Sequence, residues 1–181
     1  MPRGDVPQPH PSRLTPFLGH PGVVGIVPGQ PELVVLTAIA WARAAGNAPL
    51  YFAYVDPARY VVEELPDGSV RHADVSPDVG DDSWQAHQAV IEAFLREQLD
   101  GTGVPWHFRY LAGRADRALT HLARAVDAGV IIVGTHAPGV RASIREFVEG
   151  SVAVHLAHHQ HRPVLVVPLA VVDWKDQIAW G

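Results

Sequence analysis

The sequence has no cysteine and only one lysine and one methionine among 181 residues. Without cysteine there is no disulfide framework, no thiolate nucleophile and no zinc–thiolate site, and the composition suits a reducing cytoplasm. The lone lysine, Lys175, lies in the tail, so no glycine-rich loop carries the lysine of a Walker-type phosphate cradle. An excess of positive charge is missing too. Fourteen basic and nineteen acidic residues leave a formal charge of −5, which gives no broad electrostatic footprint for nucleic acid. No apolar run approaches the roughly 20 residues that span a bilayer. The start, Met1-Pro2-Arg3-Gly4-Asp5, lacks the basic-then-apolar layout of a signal peptide. The expectation is a cytoplasmic protein with no membrane segment and no nucleic-acid partner.

What is abundant is proline, glycine and histidine, at sixteen, sixteen and eleven residues. Eight of the prolines fall within the first 31 residues. Pro7, Pro9 and Pro11 alternate with polar residues, a pattern unsuited to a helix or a sheet interior. Residues 1–20 therefore read as an extended or disordered arm, with the globular pattern running over 21–170 and a tail over 171–181. Thirteen arginines to one lysine point to a GC-rich bacterial genome.

From Gly22 the pattern alternates between short apolar runs and helical periods. Strands are predicted at Val23–Val27, Leu50–Val55, Trp106–Ala112, Val130–Val133 and Val164–Val167, from their β-branched and aromatic content. Helices are predicted at Leu33–Ala45, with Leu36, Ile39, Ala40 and Ala44 inward, at Ser83–Leu99 behind Asp82 as N-cap, at Ala115–Ala128 and at Ser151–His159. The stripe of the second helix would be Trp84, Gln88, Ile91 and Leu95 with Phe94 beside it; that of the third, Leu119, Leu122 and Val126. Strands alternating with amphipathic helices imply right-handed crossovers and a parallel sheet covered on both faces. The fold class is α/β, a single doubly wound domain.

Residues 56–81 are too long for a plain connection. Tyr60–Leu65 and Ser69–His72 flank Pro66-Asp67-Gly68, a turn signal, so a β-hairpin is predicted near 57–80. It reads either as a surface excursion or as a lid over a ligand crevice. The tail carries Trp174 and Trp180, which either dock on a surface or are inert.

Ligands of doubly wound sheets bind beyond the carboxyl ends of the strands where the winding reverses. Gly29 follows the first strand, and Gly134-Thr135-His136-Ala137-Pro138-Gly139 follows the fourth. That second loop runs on to Gly150-Ser151-Val152, the predicted start of the last helix. Glycines, a hydroxyl and a helix N-terminus together make an anion site, with Arg141 and Arg145 able to neutralise a phosphate. The alternative is that Ser151 is simply an N-cap. No catalytic constellation stands out. His155, His158, His159 and His161 cluster at the end of the last helix; they read as a solvated face at a helix C-terminus, with metal chelation by His155 and His159 as the alternative. No metal site is assigned.

Val130–Gly134 with Thr135-His136, then Gly150-Ser151-Val152 and Pro163–Pro168, resembles the C-terminal half of a universal stress protein. Val23-Val24-Gly25-Ile26, Ala38–Ala42 and the Gly113 to Ala118-Leu119 spacing are similar to the family's earlier elements, so the resemblance spans about residues 22–168. It implies a flavodoxin-like five-stranded parallel sheet of order 3-2-1-4-5. It also implies a homodimer joined along the last strands, here Val164, Leu165, Val166 and Val167. Nucleotide-binding members hold ATP with an Asp ending strand one, a valine backbone after strand two, and a Gly-x2-Gly-x9-Gly-(Ser/Thr) loop. On this chain the matching candidates for a nucleotide or other anion are Gly29, Val55, Gly134, Thr135, His136, Gly139, Arg141, Gly150, Ser151 and Val152. Two departures stand out. Val27 or Pro28 occupies the Asp position, and the loop runs Gly-x4-Gly-x10-Gly-Ser. The resemblance therefore leads to a non-enzymatic stress-response module with a departed nucleotide loop; the alternative is an ATP- or AMP-binding switch or slow ATPase, with magnesium.

Overall fold

β-Branched and aromatic residues favour pleated, buried backbone, and the computed structural model makes each apolar run of the sequence a strand. It describes residues 10–75, 83–135 and 151–169. In chain order these are β1 (Gly22–Gly25), α1 (Leu33–Ala44), β2 (Leu50–Asp56), β3 (Arg59–Glu64), β4 (Val70–Asp74), α2 (Ser83–Leu99), β5 (Trp106–Ala112), α3 (Ala115–Ala125), β6 (Val130–Gly134), α4 (Ser151–His159) and β7 (Val164–Val167). Five strands form one parallel sheet in the order β5-β2-β1-β6-β7. With the ribbon β3–β4 set aside, this is the expected 3-2-1-4-5. The winding reverses between β1 and β6, where Val24 stands opposite Ile132 and Gly25 opposite Val133.

Alternate side chains of each strand enter opposite layers, as a period of two requires. On one face Val24, Phe52 and Ile132 pack with Val35, Ile39 and Ala42 of α1 and Ile91, Leu95 and Leu99 of α2. On the other, Val23, Val55, Ile131 and Val133 meet Leu119 and Leu122 of α3 and Val152 and Leu156 of α4. Residues buried on both sides of a sheet read as continuous apolar runs, which is why Val130–Val133 shows no alternation.

The inward stripe of α1 differs from the expectation. Leu36 is 45% exposed, Ala40 and Ala44 are exposed, and Val34, Val35, Ala38, Ile39 and Ala42 are buried. The buried set follows the i, i+3, i+4, i+7 spacing from Val35; it covers the branched side chains and turns the small Ala38 and Ala42 to the sheet. In α2, Trp84 and Gln88 are only half-buried, and Leu99 completes the stripe with Ile91 and Leu95. Asp82 lies outside the described residues. Helix α3 stops at Ala125, three residues before the predicted end. Asp127 has φ 50°, and the amides of Asp127 and Ala128 return to the carbonyls of Arg124 and Ala123, a left-handed C-terminal closure.

The N-terminal arm differs from a wholly extended segment. Pro11 opens a short 3-10 turn, Pro11–Arg13, where its missing N–H is not needed. Further on, the Gly19 amide donates to the Ala45 carbonyl at 3.1 Å, and Phe17 packs edge-on to Trp41. Residues 17–20 thus lie across the amino ends of the strands, away from the switch point.

The ribbon β3–β4 is antiparallel, as the turn chemistry predicts. Gly68 takes φ 81°, and the Asp67 carboxylate accepts from the Ser69 amide and hydroxyl at 3.0 and 2.6 Å. A Cβ on Gly68 would lie 2.5 Å from Leu122 Cδ1, so the tip rests on α3. The ribbon runs along β5, the sheet edge, and its described part does not cover the gap between β1 and β6.

Candidate functional site

The carboxyl end of β1 is shaped by a turn that Gln30 closes on itself. Gly29 takes φ 72°, the Gln30 amide donates to the Val27 carbonyl at 3.2 Å, and Gln30 Oε1 accepts from the Val27 amide at 2.9 Å. Across the switch point β6 ends at Gly134. The Thr135 amide donates to the Val167 carbonyl at 2.8 Å, and the Thr135 hydroxyl accepts from the Leu169 amide at 2.8 Å. These two bonds carry the chain leaving β7 back over the end of β6.

The result is crowding on one side of Gly134. A Cβ built on Gly134 would sit 2.8 Å from Gln30 Nε2, 2.8 Å from Leu169 Cδ1 and 3.0 Å from Val34 Cγ2. Glycine is favoured here by close approach and not by a left-handed φ.

A second polar group lies at the carboxyl ends of β2 and β5. Tyr110 donates its hydroxyl to Asp56 Oδ2 at 2.6 Å, and Asp56 Oδ1 accepts from the Ala58 amide at 2.9 Å. Burial and then the Asp56 carboxylate push the Tyr110 hydroxyl well above the ordinary phenol range. Tyr54 packs edge-on to Tyr110 at 5.3 Å, and burial raises its pKa too. Tyr110 is thus held as a neutral donor to Asp56, and Tyr54 packs against it.

A comparison with family models matches the universal stress protein family over residues 23–168. The chain belongs to that family. Solved structures of the same fold include a universal stress protein in complex with cAMP, at 22% identity over 84% of this chain and 99% of that one, TM-score 0.54. One from Archaeoglobus fulgidus in complex with dAMP shows 21% identity over 82% and 97%, TM-score 0.54. Universal stress protein UspA from Lactobacillus plantarum shows 14% over 83% and 98%, TM-score 0.59. No curated protein matches the sequence.

Within this universal stress protein fold the candidate anion-binding residues separate. Gly29, Gly134 and Thr135 come together at the switch point. The Thr135 hydroxyl accepts from the Leu169 amide and keeps its own O–H to donate. The side chains of Val55 and Val152 are core residues on the α3 and α4 face. Ser151 is the first residue of α4. His136, Gly139, Arg141, Arg145 and Gly150 lie outside the described residues. Where the resemblance implies an Asp, the Val27 amide is engaged by Gln30, and Pro28 has no N–H to offer.

The residues that crowd Gly134 were not foreseen. Gln30 hides between two prolines, Pro28 and Pro31, in what reads only as a turn. Leu169 follows Pro168 as one more apolar residue of a tail. The Asp56–Tyr110 pair carried a visible signal, an acid ending a strand of a doubly wound sheet, where ligands and polar sites gather. Among the described residues strand β7 pairs only with β6; Leu165 and Val166 are 36% and 41% exposed while Val167 is buried. The rings of His155 and His159 lie 5.8 Å apart, and the described residues contain no group of three or more metal-ligating side chains.

Proposed function

We propose that this universal stress protein is a non-enzymatic, cytoplasmic regulatory module that works as a homodimer and whose nucleotide crevice has closed. The observation that carries this reading is the occupied space at Gly134. Gln30, Leu169 and Val34 stand within 3.0 Å of where a single methyl group would go, so their side chains crowd the end of β6. The missing strand-one acid supports it as well: neither Val27 nor Pro28 has a side-chain acceptor for a ribose hydroxyl. Among the described residues, the end of β1 does not fit a nucleotide held by a side-chain carboxylate. Dimerisation is supported by β7, a short apolar edge strand with Leu165 and Val166 partly uncovered; such edges are prone to pair with another strand.

A second reading is favoured by one observation, that similar structures were solved in complex with cAMP and dAMP. On it, the protein is an AMP- or ATP-binding switch or slow ATPase, with magnesium, using the loop between Gly134 and Gly150. A thermal-melt series with ATP, ADP and AMP, with and without Mg2+, separates the two. A ligand present at about 100 times its Kd stabilises the native state by roughly 2.7 kcal/mol. The closed-crevice reading expects no shift from any of them. A shift that a Gly150→Val substitution abolishes establishes the switch.

A further inference from the structure

The ribbon β3–β4 lies along β5, the outer strand of the sheet, with one set of polar contacts at its tip and another at its base. At the tip Asp67 faces Arg109 at 3.5 Å and Glu64 faces His121 Nδ1 at 3.1 Å. At the base Arg59, almost wholly buried, donates from Nε to His72 Nδ1 at 2.7 Å and from its terminal nitrogen to Asp74. We propose that the base clamp, which ties β3 to β4, is an acid-released latch: protonation of His72 removes the acceptor that holds Arg59 and opens the paired base of the ribbon where it packs on Trp84 of α2 and Tyr110 of β5.

The geometry dictates the charge state of the latched form. A guanidinium has donors and no acceptor, so the nitrogen that receives Arg59 Nε–H must carry a lone pair. His72 is therefore neutral with its proton on Nε2. A proton added at Nδ1 turns that nitrogen into a donor facing a donor, and sets a second cation beside Arg59. Trp84 of α2 meets the His72 ring edge-on at 5.0 Å, and Tyr110 of β5 lies 5.4 Å away. Arg59 is itself fixed over the Trp84 ring, 5.7 Å from its centre.

The charged groups around His72 are Arg59 and Asp74 from the ribbon and Asp56 from β2; Tyr110 and Trp84 face it from β5 and α2. Asp74 is committed to Arg59, and Asp56 to Tyr110 and the Ala58 amide. Burial first and Arg59 second hold the His72 pKa below its ordinary value, against the opposing pull of Asp56 and Asp74. A histidine whose pKa is depressed in the closed form stabilises that form above the open-form pKa of about 6.5, and the contribution falls as pH drops below it. Acid therefore loosens the base of the ribbon beside the outer edge of β5, a strand able to accept another strand.

The test is residue-resolved amide hydrogen exchange on the full chain from about pH 7.5 to about pH 5, corrected for intrinsic rates, with a 15N titration of the His72 ring. Protection of amides at the base of the ribbon, in 59–61 and 72–74, should fall by up to about tenfold for each unit that separates the open and closed pKa values. Protection in β1 and β6 should stay constant. The His72→Gln variant, which keeps an acceptor for Arg59 and cannot titrate, should show no fall. A flat wild-type profile, an equal fall in His72→Gln, or an Nδ1–H tautomer at neutral pH overturns the proposal. If His72→Gln does not fold, the wild type decides: the ribbon must open across the pH range in which His72 titrates, and opening elsewhere overturns it.

Discussion

Replacing Gly134 with alanine puts a methyl group into space that Gln30, Leu169 and Val34 already fill. The new carbon would start 2.8 Å from Leu169 Cδ1 and 3.0 Å from Val34 Cγ2. Ordinary carbon contacts lie near 3.5–4.0 Å, so these groups must retreat by roughly 0.5–1 Å. Overpacking of this kind costs about 1–3 kcal/mol. The backbone at Gly134 is acceptable to alanine, and the loss of unfolded-state freedom returns about 0.4–1 kcal/mol. The net effect is a destabilisation of about 0.5–2 kcal/mol, and each kcal/mol lowers the Tm of a domain this size by about 2–4 °C. Guanidinium unfolding of Gly134→Ala, Leu169→Ala and the double variant measures it. In the double variant the methyl group has somewhere to go, so the cycle should show a favourable coupling of about 0.5 kcal/mol or more. A neutral or stabilising Gly134→Ala that adds simply to Leu169→Ala would mean that the space is open, and the closed-crevice argument would fail.

Other consequences can be checked on the same footing. Gly68→Ala forces φ 81° on a residue with a Cβ and drives that carbon to 2.5 Å from Leu122 Cδ1; a loss of about 1–3 kcal/mol is expected, with ribbon amides losing protection before those of the sheet. Arg162 is buried and donates from Nε to the Ala128 carbonyl at 2.7 Å. Removing it in Arg162→Leu strands that carbonyl and should cost about 1–3 kcal/mol in urea unfolding. Gln30→Ala takes the acceptor from the Val27 amide and should cost about 0.5–1.5 kcal/mol. Val166→Lys places a charge on the uncovered edge of β7 and should convert a dimer to monomer in sedimentation velocity; an unchanged sedimentation coefficient would remove β7 from the interface.

The fold was legible because each strand is a short β-branched run set off by turn residues. Val130–Val133 and Val164–Val167 needed no tertiary information, and Pro66-Asp67-Gly68 disclosed the ribbon through turn chemistry. The inward face of α1 was not legible in the same way. Leu33, Val34, Val35 and Leu36 are all apolar, and choosing among neighbouring stripes depends on where the sheet lies. The site was legible only in its glycines. Gly134 stands out in the sequence, yet its meaning depends on Gln30 and Leu169, which reach it from a turn and from the chain beyond β7. Close approach between segments far apart in sequence leaves no local signal. The same holds for Arg59 and His72, thirteen residues apart and brought together only by the register of the ribbon.

The most direct test of the closed crevice is a 1H–15N titration of the full chain with AMP, and with ATP and Mg2+, into the millimolar range, following the amides of Val27, Gln30, Gly134 and Thr135. The account predicts that these resonances do not move. Saturable shifts confined to those four amides would show that a nucleotide enters between β1 and β6, and would contradict it.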